Sequence, residues 1–344
     1  MTHPLRLACF SLLISALMAC SQEAPVAPDP EPHSLIELSF SPPPIDLKGV
    51  QAQFAENIPY DQYEDTRFDI LLPNSSSPTG LVVFIHGGGF TGGNKAFAYS
   101  TDYQDQVLEL LSKQVAVASI NYRLIQPGDE EGVLKSLHDS RRALQYLRYV
   151  SEDLNVDPER ITLFGSSAGA STALWLATHD DFKDEDHADP VLRESTRVKG
   201  IALRATQSSL DIEGRWLNDV FGEFGATFEE LLDEFGEASL LNFYGVKSLE
   251  AYHSPETEAY RKQVDMLSLL SADDPEIWVT NTGGHNNQPQ TTGSFNHHPY
   301  HAREIKEFAE AAGVPTVATY GKPILYRDPS QEEFVDFLLR KLDE

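Results

Sequence analysis

Cysteine is almost absent from this 344-residue sequence. The two cysteines, Cys9 and Cys20, both lie within the first twenty residues. The body of the chain therefore has no disulfide framework and no cysteine-type metal site. Positive charge is also scarce, since 26 Lys and Arg face 53 Asp and Glu, which gives a net charge of −27. A surface this negative repels phosphate groups, and this argues against a nucleic-acid partner.

Long hydrophobic runs are missing as well, apart from a short one near the N-terminus. Residues 7–19 are apolar, follow Arg6 and end directly before Cys20, which is typical of a signal peptide and too short for a membrane-spanning helix. Residues 17–20 resemble the bacterial lipobox, with Met18 an imperfect fit. The resemblance implies cleavage before Cys20, lipid attachment there and membrane retention in a bacterial cell envelope, at the outer membrane. A plain secretory signal with a free Cys20 is the alternative.

Proline is concentrated between this leader and the rest of the chain. Seven prolines fall within residues 21–45, among small and acidic residues. Such a composition stays extended and cannot form a core. We therefore predict a signal peptide over 1–19, a lipidated cysteine and tether over 20–45, and one domain over 46–344.

From residue 46 onward, strand and helix patterns alternate. Leu81–Ile85 is a continuous apolar run, typical of a strand buried on both faces, and Val133–Leu154 has the period of a long amphipathic helix. The predicted strands are 50–54, 67–72, 81–85, 115–122, 161–164, 198–205, 277–281 and 316–320. The predicted helices are 103–111, 133–154, 168–178, 301–312 and 332–342, with a turn at 157–159. This alternation predicts an α/β fold with a mostly parallel central sheet covered by helices on both faces.

Residues 206–270 interrupt the alternation. The segment is acidic, rich in aromatic residues and helical in its spacing. We predict a helical insertion after the sixth strand that packs over the functional edge of the sheet, where aromatic residues such as Phe221 and Phe224 wall a pocket. The alternative is a set of extra helices that only support the fold.

A G-x-S-x-G motif occupies residues 165–169, directly after a predicted strand and before a predicted helix. A turn this tight requires glycine two positions before and after the serine, at residues 165 and 169, and projects the Ser167 hydroxyl outward. The N–H groups at the start of the following helix have no helical partner and lie at the positive end of its dipole. The motif predicts Ser167 as a nucleophile.

Three consecutive glycines at 87–89 follow His86 and a predicted buried strand. Without side chains, their backbone amides can approach a ligand closely. We predict that the amides of Gly87, Gly88 and Ala168 form an oxyanion hole, in which each preorganised donor is worth about 2.7–4 kcal/mol. His86 is expected to hold the loop by a hydrogen bond.

With these two motifs, and with supporting segments at 121–124, 139–143 and 157–161, residues 50–342 resemble the α/β-hydrolase superfamily. The resemblance is to hormone-sensitive-lipase-like esterases and bacterial feruloyl- or acetyl-esterase-like proteins. It implies an α/β-hydrolase fold and a serine carboxylesterase that cleaves small esters through an acyl-enzyme, with acetyl and feruloyl esters as candidates. The implied partner is a small-molecule ester, and no cofactor is implied.

The histidine of that superfamily is displaced in this sequence. It usually follows the strand predicted at 316–320, but residues 321–328 contain no histidine. We therefore predict the base in a preceding cluster, at His298, because the proline after it holds it extended. His297 and His301 are the alternatives.

The resemblance implies an acid as well, and Asp211 is the prediction, since some hydrolases recruit the acid from this position after the preceding strand. No metal site is predicted: His285 and the histidine cluster could ligate zinc in principle, but Pro299 interrupts their helical spacing and no H-E-x-x-H pattern occurs. A chain without a triad is the alternative, with Asn296 where related sequences carry the acid. Such a chain would be a catalytically degenerate hydrolase that acts as a binding module.

Overall fold

The computed structural model describes Met1, residues 34–286 and residues 288–344. Its contacts divide the chain into a first unit that ends at Ser34 and a second unit, Leu35–Glu344, which contains the fold. Apart from Met1, the predicted signal peptide, Cys20 and the tether up to residue 33 lie outside the described residues. Within the described residues, no helix is both long and apolar enough to cross a membrane.

In the described part of the chain, ten strands form one sheet, in the order β1-β2-β3-β5-β4-β6-β7-β8-β9-β10. The strands are β1 (Phe40–Ser41), β2 (Ala52–Pro59), β3 (Arg67–Pro73), β4 (Thr79–Ile85), β5 (Ala116–Ile120), β6 (Val156–Ser166), β7 (Gly200–Arg204), β8 (Glu276–Gly284), β9 (Thr316–Lys322) and β10 (Tyr326–Arg327). The six central strands, β5-β4-β6-β7-β8-β9 in sheet order, are parallel to their neighbours. The pairs β1–β2, β2–β3, β3–β5 and β9–β10 are antiparallel. The predicted mostly parallel sheet is confirmed.

Helices cover both faces of this sheet. The α-helices of the described residues are α1 (Gln104–Ser112), α2 (Val133–Tyr149), α3 (Ala168–Thr178), α4 (Phe228–Phe235), α5 (Glu237–Phe243), α6 (Leu249–Tyr252), α7 (Pro255–Gln263), α8 (Met266–Leu269), α9 (Thr292–Asn296), α10 (Pro299–Ala312) and α11 (Phe334–Asp343). Residues of α2, α3 and α10 form one core, and residues of α1 and α11 form the other. Successive side chains of β4 alternate between the two cores, which is why its sequence is continuously apolar.

The predicted insertion is helical, with a π-helical segment at Ile212–Val220 followed by α4 to α8. It follows β7 rather than a sixth strand, because the two-residue strand β1 precedes the first predicted one. Its buried aromatic side chains belong to the same core as α3 and α10.

Two segments differ from the sequence-based prediction. Residues 35–45 are not a free tether: the amides of Leu35 and Ile36 donate to Asp153 at 2.8 and 3.1 Å, and β1 pairs with β2. The domain therefore begins near residue 35 instead of residue 46. Residues 157–159 do not form a separate turn, since they lie inside β6, where the register with β4 shifts and accommodates the proline.

Candidate active site

Ser167 lies at a sharp bend between β6 and α3. Its φ of 53° and ψ of −122° place a non-glycine residue in a left-handed conformation, and its N–H donates to Arg204 O at 2.9 Å. The helix can approach the sheet here because residue 169 is glycine: an added Cβ would lie 2.0 Å from Ile85 O. The strained bend leaves the Ser167 side chain half-buried at the carboxyl edge of the sheet.

The loop after β4 is held by His86. The Nδ1 atom of His86 is 2.7 Å from Gly87 O, and its ring stacks on Tyr122 with centroids 4.4 Å apart. The Tyr122 hydroxyl donates to His86 O at 2.8 Å. Burial lowers the pKa of His86 to about 4, so the imidazole is neutral near pH 7. These contacts agree with a loop-holding role for His86.

The glycine loop lies directly against the serine. An added Cβ on Gly87 would lie 2.7 Å from Ser166 O and 3.1 Å from Ser167 Cβ. Gly88, at φ +119°, accepts the N–H groups of two later loop residues on its carbonyl, while Ala168 begins α3, where N–H groups lack helical partners. The structure thus brings together the two segments that carry the predicted oxyanion donors, the amides of Gly87, Gly88 and Ala168.

His297 is the histidine beside the serine. Its Nε2 atom is 2.8 Å from Ser167 Oγ. When the ring proton is on Nδ1, Nε2 accepts the hydroxyl proton of Ser167. Burial lowers the pKa of His297 below its usual value, which favours the neutral imidazole that a base requires.

His298, the base predicted from the sequence, lies elsewhere. Pro299 begins α10, and His298 becomes the cap of that helix, with its Nδ1 accepting the Tyr300 N–H at 3.2 Å. Burial, reinforced by the charge of Arg303, lowers the pKa of His298 to about 4. His298, the extended residue before Pro299, serves as a helix cap, and His297 faces Ser167. The structure therefore does not place the predicted base, His298, beside Ser167, and the alternative His297 takes that position.

His301 is buried on the far side of the same turn. Its Nδ1 accepts the Ser208 N–H at 3.2 Å, and its Nε2 is 2.9 Å from Phe295 O. Burial lowers its pKa to about 3. Both ring nitrogens have partners inside the protein, so His301 is a core residue and not a base for Ser167.

Asp211, the predicted acid, does not contact His297. Its carboxylate accepts the Gly214 N–H at 2.9 Å as the cap of the π-helical segment and lies 3.8 Å from Arg261. Burial raises its pKa. After β7 the chain passes through the buried residues 206–209, and Asp211 follows them at the start of the insertion. Its carboxylate therefore lies among residues of the insertion. Among the described residues, no carboxylate is hydrogen-bonded to His297.

A cavity of about 530 Å³ opens beside Ser167. The insertion contributes Trp216, Phe235, Leu240 and Phe243 to its wall. Phe221 and Phe224, the predicted wall residues, instead pack against His298, with ring centroids 5.5 Å apart in each case. The prediction that aromatic residues of the insertion wall a pocket is therefore confirmed, but the choice of Phe221 and Phe224 is wrong.

The polar character of the cavity comes from uncharged groups. Its polar lining includes Gln126, Ser239, Asn242 and Thr292, and none of the described side chains that line it carries a charge. Across the described residues, no group of three or more His, Cys, Asp or Glu side chains could hold a metal ion. The site is suited to a neutral organic molecule of moderate size.

Two buried amides were missed by the sequence analysis. Gln207 donates to Asn296 O at 2.7 Å, and Asn281 donates to His298 O at 3.1 Å. These carbonyls flank His297 on either side. Asn281 lies in β8 and Gln207 follows β7, so their position at the carboxyl edge of the sheet was the signal that could have identified them.

Comparison with known proteins assigns the chain to a family. A family model described as BD-FAE matches residues 68–282, which is more than half of the chain. The chain belongs to the BD-FAE family. In this member of the BD-FAE family, the matched region includes the glycine loop, Ser167 and Asn281 but ends before His297.

Curated relatives match shorter segments of this BD-FAE member. Acetylcholinesterase of Gallus gallus is 39% identical over 100 residues, which cover 27% of this chain and 12% of that protein. Gut esterase 1 of Caenorhabditis elegans is 26% identical over 187 residues, covering 52% of this chain and 32% of the other. The matches span less than a third of the length of these relatives.

Solved structures agree on the fold. A truncated carbohydrate esterase from gut microbiota has a TM-score of 0.62 and 17% identity, covering 86% of this chain and 98% of the other. An acetyl ester-xyloside bifunctional hydrolase from Caldicellulosiruptor lactoaceticus has a TM-score of 0.53 and 21% identity, covering 78% and 76%. The predicted α/β-hydrolase fold is confirmed.

Proposed function

We propose that this BD-FAE family member is a serine carboxylesterase that hydrolyses small esters. The observation that carries the proposal is the 2.8 Å contact between Ser167 Oγ and His297 Nε2, at a strained bend that faces the glycine loop. A serine becomes a useful nucleophile only when a base takes its proton. The names of the relatives and structural neighbours, several of which are esterases, support the same reaction class.

In the first half of the proposed reaction, Ser167 Oγ attacks the ester carbonyl while His297 Nε2 takes its proton. The carbonyl oxygen becomes an oxyanion that accepts hydrogen bonds from the amides of Gly87, Gly88 and Ala168. As the carbon–oxygen ester bond breaks, the imidazolium returns its proton to the leaving alcohol. The acyl group is then bound to Ser167 as an ester.

The second half repeats these steps with water. Neutral His297 takes a proton from a water molecule as the water oxygen attacks the acyl carbon. The same amides hold the oxyanion, and collapse of the intermediate releases the carboxylic acid and returns the proton to Ser167 Oγ. The amides stabilise only the oxyanion, and no carboxylate of the described residues is hydrogen-bonded to His297 to offset the positive charge of its imidazolium.

We also propose that the substrates are uncharged near the scissile bond, with acetyl and feruloyl esters as candidates. The cavity has an aromatic wall and no charged lining among the described residues, so a buried carboxylate on the substrate would lose hydration without gaining a partner. We expect p-nitrophenyl butyrate to be cleaved with a kcat/KM at least about tenfold higher than p-nitrophenyl hydrogen succinate. Equal values would contradict this substrate class.

A second candidate function is ligand binding without catalysis. It is favoured by one observation, namely that no described carboxylate is hydrogen-bonded to His297, whose imidazolium would therefore lack a charged partner. Loss of the acid lowers the rate of hydrolysis but leaves the oxyanion donors in place. The contact between Ser167 and His297 favours catalysis over this alternative.

The decisive experiment compares hydrolysis of p-nitrophenyl acetate by the wild type and by Ser167→Ala. We expect Ser167→Ala to lose about 10³-fold or more in kcat/KM. The matched control is Ser140→Ala, since Ser140 is a buried serine of α2 whose hydroxyl donates to Ser136 O at 2.9 Å. A fluorophosphonate should label the wild type and the control but not Ser167→Ala. Equal hydrolysis by all three proteins would favour the binding module.

We propose in addition that the mature chain is anchored by a lipid at Cys20 in the outer membrane of a bacterial envelope. The lipobox-like sequence before Cys20 supports this proposal. In a bacterial host, radiolabelled palmitate should enter the wild type and Cys9→Ser, a matched control within the leader, but not Cys20→Ser. Fractions enriched in outer membrane should contain the labelled protein. Label that persists in Cys20→Ser would contradict the anchor.

A further inference from the structure

The segments that carry Ser167 and His297 come from distant parts of the chain. Ser167 lies between β6 and α3, whereas His297 follows the short helix α9 beyond β8. In a Ser-His-Asp triad, a carboxylate bonded to the imidazole fixes its orientation. No carboxylate of the described residues is bonded to His297, and burial accounts for its lowered pKa. Some other group has to hold this imidazole in place.

Gln207 connects the serine helix with the histidine segment. Its Oε1 accepts the Ser171 hydroxyl at 2.7 Å, and its Nε2 donates to Asn296 O at 2.7 Å. Ser171 lies one helical turn after Ser167, and its N–H donates to Ser167 O at 3.0 Å. A continuous path of hydrogen bonds therefore runs from the main chain of Ser167 to the residue before His297.

Asn281 binds the main chain on the C-terminal side of His297. Its Nδ2 donates to His298 O at 3.1 Å and to Thr206 O at 2.9 Å, while its Oδ1 accepts the Thr206 N–H at 3.0 Å. Asn281 is 1% exposed and Gln207 is 5% exposed. Hydrogen bonds that are removed from water in this way resist competition from solvent and confine the groups that they join.

We propose that Gln207 and Asn281 are positioning residues, which hold His297 against Ser167 by its flanking main-chain carbonyls and replace the orienting part of a triad carboxylate. This inference rests on the proposed function, since it assumes that His297 acts as the base. The amides are neutral, so they supply geometry but no charge for the imidazolium. A misplacement of about 1 Å in such a pair can lower the rate about 10²-fold.

The test replaces Gln207 by methionine, which has nearly the same shape but forms neither hydrogen bond. The matched control is Gln145→Met: Gln145 is a fully buried glutamine of α2 that donates to Glu194 O at 2.8 Å. We expect kcat for p-nitrophenyl acetate to fall about tenfold or more in Gln207→Met, with KM within about threefold of wild type. In Gln145→Met, kcat should equal that of the wild type.

The split between kcat and KM is needed because Gln207 also lines the cavity. Ser171→Ala provides a second variant, since Ser171 is not a lining residue and its hydroxyl donates to Gln207 Oε1 at 2.7 Å and accepts the Gln207 N–H at 3.3 Å. It should lower kcat about threefold and leave KM unchanged. This variant also decides the matter if Gln207→Met does not fold. A wild-type kcat in Ser171→Ala and Gln207→Met, or an equal loss in Gln145→Met, would overturn the proposal.

A titration followed by NMR separates this inference from the proposed function. The His297 ring signal, assigned with His297→Ala, should show a pKa below 6.5 in the wild type and Gln145→Met. In Gln207→Met the pKa should rise, because the loosened ring gains water. If the wild type cleaves no ester but this rise occurs, the proposed function fails, while the result still shows that Gln207 holds the His297 imidazole in place. An unchanged titration in Gln207→Met would refute the positioning role.

Discussion

Two adjacent histidines, His297 and His298, have opposite surroundings. His297 contacts Ser167 Oγ, whereas His298 caps α10 and packs among aromatic rings. We expect His297→Ala to lower kcat for p-nitrophenyl acetate about 10³-fold or more, because the serine loses its base. His298→Ala should keep kcat within about threefold of the wild-type value. Because the helix cap is lost, its free energy of unfolding, measured with urea, should fall by about 1 kcal/mol. An inactive His298→Ala beside an active His297→Ala would reverse the assignment.

The pH dependence of the proposed reaction follows from the surroundings of His297. Burial lowers its pKa, and no carboxylate of the described chain counteracts this effect. The imidazole therefore stays neutral as the pH falls through 6.5, and protonation removes the base only at lower pH. We expect the acid limb of kcat/KM to have its midpoint below pH 6.5. Circular dichroism at each pH excludes unfolding, and a midpoint above 7 would indicate a carboxylate partner for His297.

At the scale of the elements, the conformation of the loop after β4 requires glycine at residue 88 but not at residue 92. Gly88 has a φ of +119°, and a Cβ there would lie 2.1 Å from Gly92 O. A Cβ on Gly92 would come no closer than 3.9 Å to another heavy atom. These two glycines of one loop therefore form a matched pair for substitution.

We expect Gly88→Ala to displace the oxyanion donors and to lower kcat/KM at least about 10²-fold, while Gly92→Ala stays close to wild type. Because the loop lies at the edge of the fold, thermal unfolding should change by only a few degrees in both variants. Hydrolysis of p-nitrophenyl acetate measures the first effect. Similar rates for the two variants would show that the conformation of Gly88 is not needed.

At the scale of the whole molecule, buried histidines make stability depend on pH. Burial lowers the pKa of His86 to about 4 and that of His301 to about 3, whereas both are near 6.5 in the unfolded chain. Between pH 6.5 and these lower values, the unfolded chain binds protons that the folded chain excludes. Stability is therefore highest above pH 6.5 and falls as the pH decreases.

Each of these two histidines should contribute a slope of at most about 1.4 kcal/mol per pH unit to the free energy of unfolding between pH 6 and 5. Urea unfolding at pH 7, 6 and 5 measures the slope. His253→Gln, at an exposed histidine, is the control and should leave it unchanged. A free energy of unfolding that is constant from pH 7 to 5 would contradict the burial of these imidazoles.

Local patterns were sufficient for the sheet and for the positions of the bend at Ser167 and of the glycine loop. β4 is apolar at successive positions because both of its faces are covered, and α3 agrees with its predicted bounds. The bend at Ser167 requires glycine at residues 165 and 169, and the G-x-S-x-G motif shows this requirement in the sequence. The predicted turn at 157–159 failed because tertiary pairing with β4 extended β6 through the proline.

The partners of Ser167 could not be read in the same way. Three histidines within five residues have similar local sequences, and the start of α10 at Pro299 decides which of them faces the serine. Asp211 follows β7 closely in sequence, but the buried path of the chain carries it into the insertion. The amides of Gln207 and Asn281 acquire their role only where separate strands end side by side.

The sequence by itself determined the layers of the fold, the serine and the loop that faces it, because each depends on the period or the backbone freedom of a few consecutive residues. The tertiary structure decided that His297 meets Ser167, which aromatic residues form the cavity wall and which amides hold the histidine. These features depend on distances between segments far apart in the chain. Such distances are set by the packing of the whole domain, which no local pattern encodes.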